Sequence, residues 1–244
     1  MKNKSGKRGE LLKALVRLRQ QVAELKKKEI EYKQTTVMLE ESIKEIKKTL
    51  WGVVNALTCL VEMREHYTQG HAKNVAKLSC AIARKMGLSK ERIDMLQIAA
   101  TIHDIGKVEV PFEILNRPGR LNHVQFKMIK NHPQTGYKLA TSMNFPLPVA
   151  DIILQHHERL DGSGYPQGLK GDEIMLEARI LACADVVEAM SSRRSYRPAH
   201  SMDECLEEVW QKKSTLYDPD VADACINLFA EGNFTFSVSI ANSY

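Results

Sequence analysis

Eight histidines occur in this 244-residue chain, and five of them form a pattern with two aspartates. His71 falls in the first turn of an expected helix, and His103 and Asp104 are adjacent near the end of the next. His132 precedes Pro133, where one helix gives way to another. His156 and His157 are adjacent at the end of a further helix and are followed by Glu158. Asp185 lies inside the apolar run 180–187, where a carboxylate is costly to bury unless it is paired or bound to a metal. Any one of these residues alone reads as a satisfied polar residue of a core. A mixed His and Asp set at the ends of neighbouring helices reads as a metal centre. Imidazole with carboxylate, and no cysteine, suits iron, manganese or zinc. A carboxylate can give one oxygen to each of two ions, an arrangement that activates a water and steadies a phosphoryl group.

The elements that must position these residues are helical. Ser89 and Thr68 are expected N-caps, the Thr68 helix running to about Met86 with Gly87 in the C′ position. The Ser89 helix is expected to continue through Ile93, Leu96 and Ala100 to Asp104. A turn-rich stretch with Gly106, Pro111, Pro118 and Gly119 follows. Further helices are expected at 122–131, 134–142, 148–158, 177–191, 202–212 and 219–230, with a long irregular loop at 159–173. Period-2 alternation is nearly absent, so the fold class is all-α. Ahead of this globule, apolar residues recur at 3–4 spacing from Leu11 to Leu60. With Leu15 at position a, the a and d residues run through Leu18, Val22, Leu25, Glu29, Tyr32, Thr36 and Leu39 to Ile43, Ile46, Leu50, Val53, Leu57 and Leu60. About seven such heptads, free of Gly and Pro until Gly52, predict a left-handed coiled coil, with a parallel dimer as the favoured state.

Several of these residues together resemble the HD-GYP family of cyclic di-GMP phosphodiesterases, within the HD superfamily of metal-dependent phosphohydrolases. The resemblance rests on His103-Asp104 with Gly106-Lys107, and on the continuous stretch from His156-His157-Glu158 through Asp161-Gly162-Ser163-Gly164-Tyr165-Pro166. It extends from Glu62 to Phe229 and takes in Tyr67-Thr68-Gln69-Gly70-His71, Asn131-His132-Pro133, Ala184-Asp185-Val186 and Arg193-Arg194-Ser195-Tyr196-Arg197. The resemblance implies that Asp104 bridges two metals, with His71, His103 and Asp185 completing one site and His132, His156 and His157 the other. Asp104 and Lys107 then take the catalytic roles, Lys107 by contacting a phosphate oxygen. Arg194 and Arg197 look like a second phosphate clamp, a task that suits the planar fork of arginine. Tyr165 and Pro166 shape the loop beside the site, and Asp161 is expected to orient a ligand histidine. His66, His123 and His200 fall outside the pattern and are expected to be exposed. Some members carry a Glu four residues before the first histidine, associated with a third metal; this chain has Tyr67 there, and a phenol is a poor ligand for a hard cation. Two divalent ions per chain, iron or manganese favoured, are therefore expected. Glu109 stands where relatives often have Gly, and Ser195 where they often have Pro.

Composition sets the outer limits. No stretch approaches the roughly 18–20 apolar residues that span a bilayer, and the basic start is interrupted by Glu10, Lys13 and Arg17 rather than followed by a signal-peptide core. The sequence thus predicts a cytoplasmic protein. Cys59, Cys80, Cys183, Cys205 and Cys225 are widely spaced and form no Cys-x-x-Cys pair, which assigns them neither zinc nor a disulfide. Residues 1–50 carry 14 Lys and Arg against 7 Asp and Glu, but the two signs are interleaved with leucines, which reads as a solvated helix face and not as a nucleic-acid site. The expected organisation is a coiled-coil helix at 1–60, a catalytic domain at 61–232 and a tail at 233–244, with a sensor domain or partner upstream left open. The expected activity is hydrolysis of cyclic di-GMP to pGpG, and on to GMP. The alternatives are a non-catalytic cyclic di-GMP receptor and an HD hydrolase of another nucleotide.

Overall fold

A computed structural model describes residues 3–65, 70–192 and 199–236. Among them no β-strand occurs, and ten α-helices carry the chain. Helix α1 spans Asn3–Glu62 without interruption. The others are α2 (His71–Lys85), α3 (Lys90–Ile102), α4 (Phe112–Leu115), α5 (His123–Ile129), α6 (His132–Ser142), α7 (Leu147–Gln155), α8 (Leu176–Ser191), α9 (Met202–Gln211) and α10 (Pro219–Ala230). Among the described residues no helix is long and apolar enough to cross a membrane.

The chain divides into two units, residues 1–53 and 54–244. In the first, α1 is exposed on every side from Leu12 to Leu50, and its a and d residues Leu15, Leu18, Val22, Leu25, Ile43 and Ile46 are 44–64% exposed. Glu24–Lys28 and Glu29–Lys33 pairs at 3.7 and 2.7 Å run along it in the favourable i,i+4 order. The second unit begins at Val54, before the expected boundary at 60, because Val54 and Val61 already pack on its apolar core.

In that core α8 is the central helix. Ile180, Leu181, Cys183, Ala184 and Val187 are fully buried, so apolar side chains leave it in every direction. Helix α2 lays Val75, Leu78 and Ile82 inward at 3–4 spacing. It ends as expected, with Gly87 at φ 75 past the cap. Its start differs: Gly70, in the left-handed region, is the N-cap, whereas Thr68 lies outside the described residues. Ser89 does cap α3, its side chain accepting from Arg92 N at 3.4 Å. Helix α7 stops at Gln155 and not at 158, which frees His156 and His157 from the helical path. The stretch expected as turns also holds a 3-10 turn at Ile105–Glu109 and the four-residue α4. That 3-10 turn lies so close to α6 that a Cβ on Gly106 would stand 2.0 Å from the His132 carbonyl oxygen. At the far end, Phe234 and Phe236 pack against Phe229, the first edge-on and the second tilted, so the expected tail is partly packed.

Candidate metal centre

Five helices deliver the seven expected ligands to one place. His71 opens α2, His103 closes α3 with Asp104 after it, and His132 opens α6. His156 closes α7 with His157 after it, and Asp185 comes from the middle of α8. Two donor sets share no residue, His71 with His103 and Asp185, and His132 with His156 and His157, while a third group, His103 with Asp104 and His156, spans them.

Three of the rings are fixed in the same way. The Nδ1 atoms of His103, His132 and His156 donate to the carbonyls of Ala100, Ile129 and Ile153 at 2.8, 2.8 and 2.6 Å. A carbonyl only accepts, so in each neutral ring the proton sits on Nδ1 and Nε2 presents a lone pair. Burial holds His156 at about 3 and also lowers His132, which keeps both rings neutral. His157 is pushed well below the usual range, by burial first and then by His156. The Nε2 atoms of His132 and His156 nevertheless stand 3.2 Å apart, and that of His103 is buried without a partner. Lone pairs turned toward one another in a buried space repel, and a cation between them resolves the conflict.

Asp104 lies between the sets. Its Oδ1 is 3.3 Å from His132 Nε2, and its Oδ2 is 3.5 Å from His103 Nε2 and 3.9 Å from His71 Nε2. Burial alone would raise its pKa, but Lys107 and the surrounding histidines hold it well below the usual carboxylate range. Asp185 is held down in the same sense, its Oδ1 3.3 Å from His71 Nε2. Burial works against charge on His71, yet hydrogen bonds to Asp185 and Glu188 outweigh it and raise its pKa to about 10. A divalent ion bound at about 2.1 Å places adjacent donors about 3.0–3.5 Å apart, close to the shorter separations here. The donor set therefore fits divalent metals, and all seven expected ligands belong to it.

Lys107, on the 3-10 turn, stands with Nζ 2.7 Å from Asp104 Oδ2 and 2.9 Å from Glu65 Oε1. Tyr165 lies beside the second set, its ring 4.8 Å from that of His157 at 32°. The Lys130 ammonium sits 4.8 Å from the Tyr165 ring centre. Tyr67, Arg194, Arg197 and His66 lie outside the described residues. His123 is exposed at the start of α5, and His200 pairs with Glu204 at 3.2 Å.

Asp161 corrects the sequence expectation. It is exposed, and its Oδ1 accepts from Ser163 N at 2.8 Å rather than from a ligand histidine. The carboxylate that orients a ligand is Glu188, bonded to His71 Nδ1. Glu188 stands three residues after Asp185 on the same face of α8. Glu158, also missed, is buried and accepts from the backbone N–H groups of Gln167, Gly168 and Leu169 at 2.6, 3.2 and 3.1 Å. It holds the loop that carries Tyr165.

The HD domain family matches residues 55–221. The cyclic di-GMP phosphodiesterase response regulator RpfG of Xanthomonas campestris is 36% identical over 214 residues, 87% of this chain and 56% of that protein. A cyclic di-GMP phosphodiesterase of Thermotoga maritima is 39% identical over 194 residues, 79% of this chain and 53% of that protein. The chain thus spans about half the length of these curated relatives. Among solved structures, a cyclic GMP-AMP-specific phosphodiesterase of Vibrio cholerae aligns with a TM-score of 0.56 at 20% identity, over 74% of this chain and 49% of the other. That likeness is one of fold.

Proposed function

Because the chain belongs to the HD domain family, in its HD-GYP branch, we propose that it is a metal-dependent phosphodiesterase that hydrolyses cyclic di-GMP to pGpG, and on to GMP. The observation that carries this reading is Asp104, which turns one oxygen to each of two histidine sets. We assign two ions per chain, iron or manganese, with His71, His103 and Asp185 on one, His132, His156 and His157 on the other, and Asp104 on both. When bound, such ions supply an activated water and positive charge for a phosphoryl group.

The chain's own residues do the rest. Glu188 accepts the Nδ1 proton of His71 and so aims Nε2 at the site, where a metal would take the place of the Nε2 proton. Lys107 brings an ammonium beside the Asp104 oxygen, where it meets a phosphate oxygen as a point charge. Tyr165, stacked on His157, forms a wall against which a guanine base can lie. Arg194 and Arg197 are assigned to the second phosphate on the family resemblance alone. A parallel homodimer through α1 belongs to the same proposal, supported by the exposed a and d residues. So does a cytoplasmic location, on the sequence grounds given above.

The test is metal analysis of anaerobically purified protein beside turnover of cyclic di-GMP and, in competition, cyclic GMP-AMP. Two ions per chain and preferential turnover of cyclic di-GMP are expected. Metal-loaded protein that binds cyclic di-GMP without cleaving it would make the chain a receptor. Preference for cyclic GMP-AMP would move it to the substrate named for the Vibrio cholerae structure.

A further inference from the structure

The chain leaving α1 reaches the elements that carry the site. Arg64, two residues past the helix, points its guanidinium at the 3-10 turn. Its Nη1 donates to the carbonyls of Lys107 and Val108 at 3.1 and 2.5 Å, and its Nη2 to that of Val110 at 2.8 Å. Arg64 is itself tied down, its own carbonyl accepting from Asn116 Nδ2 at 2.7 Å. The next residue, Glu65, takes the Lys107 ammonium at 2.9 Å. One turn earlier, Glu62 accepts from the backbone N–H groups of Gly70 and Ala72 at 3.1 and 2.8 Å. Gly70 has no side chain with which to cap α2, so Glu62 supplies the carboxylate that the helix start favours, next to His71.

We propose that Arg64 and Glu65 are the positioning residues for Lys107, Arg64 holding the backbone of its turn and Glu65 its ammonium. The end of a short helical turn leaves carbonyls with lone pairs to spare, and the planar fork of arginine can satisfy several of them at fixed geometry. Lysine could not, because its donors radiate from one atom. The ammonium has three N–H donors. Among the described residues Asp104 and Glu65 take two, which leaves the third in a defined direction for a phosphate oxygen. Glu65 is thus an anchor and not a rival of the substrate. The inference rests on the reading that Lys107 contacts a phosphate.

The experiment uses the full-length, metal-loaded protein. Arg64→Met and Glu65→Gln are made singly and in a Lys107→Ala background, with Arg64→Lys in reserve should the Met variant not fold. Each single change is expected to lower kcat/KM for cyclic di-GMP about tenfold, the worth of one hydrogen bond to a charged group, with metal content unchanged. In the Lys107→Ala background neither change should lower it further, because residues acting through one partner are not additive. Losses that multiply in that background, or single variants as active as the parent, would overturn the proposal. A second readout is independent of activity. The Val110 amide, which donates to the Lys107 carbonyl at 3.0 Å, should exchange faster in the Arg64 variant. Unchanged exchange would overturn the role of Arg64 even in a protein that cleaves nothing. A parent that leaves cyclic di-GMP intact would defeat the proposed function while this exchange comparison still decides the positioning role.

Discussion

Asp104 serves both donor sets with one carboxylate, so its side chain cannot be lost from one set alone. Asp104→Ala should reduce turnover to background and lower metal content, measured by steady-state kinetics and metal analysis on the same preparation. Lys107→Ala should keep the metals and slow the reaction, since it removes a charge contact only. Near-normal activity in the Asp104 variant would refute the shared-carboxylate mechanism. The same residues set the acid stability of the metal-free protein. His156 titrates near 3 in the fold against an ordinary 6.5, and His132 and His157 shift the same way. The unfolded chain therefore binds more protons below about pH 6.5, and stability falls as the pH drops toward 3. His71 shifts the other way, to about 10, so its contribution is complete below 6.5 and is lost as the pH rises through 10. Melting temperatures of chelated protein should peak near pH 6.5 and fall on both sides. A flat profile from 6.5 to 4.5 would show that the buried histidines titrate normally. The seven clustered His and Asp residues were all singled out in the sequence, because so many of them near helix ends, with one carboxylate inside an apolar run, form a pattern. Glu188 and Glu65 were not, because a glutamate on a helix or beside its end is ordinarily solvated, and only the fold shows what it meets. Asp161 was misread for the converse reason: it sits in the motif, yet its carboxylate closes a local turn.

At the scale of elements, the centre depends on close approach between the 3-10 turn and α6. A Cβ on Gly106 would lie 2.0 Å from the His132 carbonyl oxygen and 2.6 Å from Gly136 N, both backbone atoms that cannot step aside. Gly106→Ala must therefore part the two elements, at a cost of about 1–3 kcal/mol or more. In a unit of this size that is a fall of roughly 3–10 °C in melting temperature. Activity should drop by more than the stability loss explains, since Lys107 and His132 ride on the two displaced elements. Calorimetry and kinetics below the melting range would separate the effects, and a variant with the parent's melting temperature would show that the turn tolerates the methyl. The sequence showed most helices through their caps and apolar spacing, as at Ser89 and Gly87. It did not show the 3-10 turn or α4, because five- and four-residue elements are too short to display a period. The end of α7 was placed three residues late, since His156-His157-Glu158 continues a helix-compatible composition. What turns the chain there is tertiary: Glu158 binds three backbone N–H groups of the following loop.

At the scale of the whole molecule, α1 presents a row of apolar side chains to water between Leu12 and Val53, and a second copy of the same helix is the proposed cover. The heptad was legible because no other surface competes for that face, so the pattern is uninterrupted by a globular core. Its weakest layers are Glu29 and Thr36, both at a positions. In a parallel dimer two Glu29 side chains meet across the seam, which costs desolvation and repulsion. Within one helix Glu29 is paired with Lys33 at 2.7 Å, but both are well exposed, and such a pair is worth only a few tenths of a kcal/mol. The cross-helix term is larger, so Glu29→Leu should stabilise the dimer, by about tenfold or more in dissociation constant for each 1.4 kcal/mol recovered. It should do so without altering metal content, since no ligand is touched. Deleting residues 1–45 removes five of the seven a layers and should weaken dimerisation while the metal centre still forms, because the compact unit begins only at Val54. Sedimentation of the parent, the Glu29 variant and the truncation over a range of concentrations decides between these outcomes. A parent that stays monomeric at tens of micromolar, or a truncation that dimerises as well as the parent, would remove the coiled coil from the proposal and leave the metal centre standing on its own evidence.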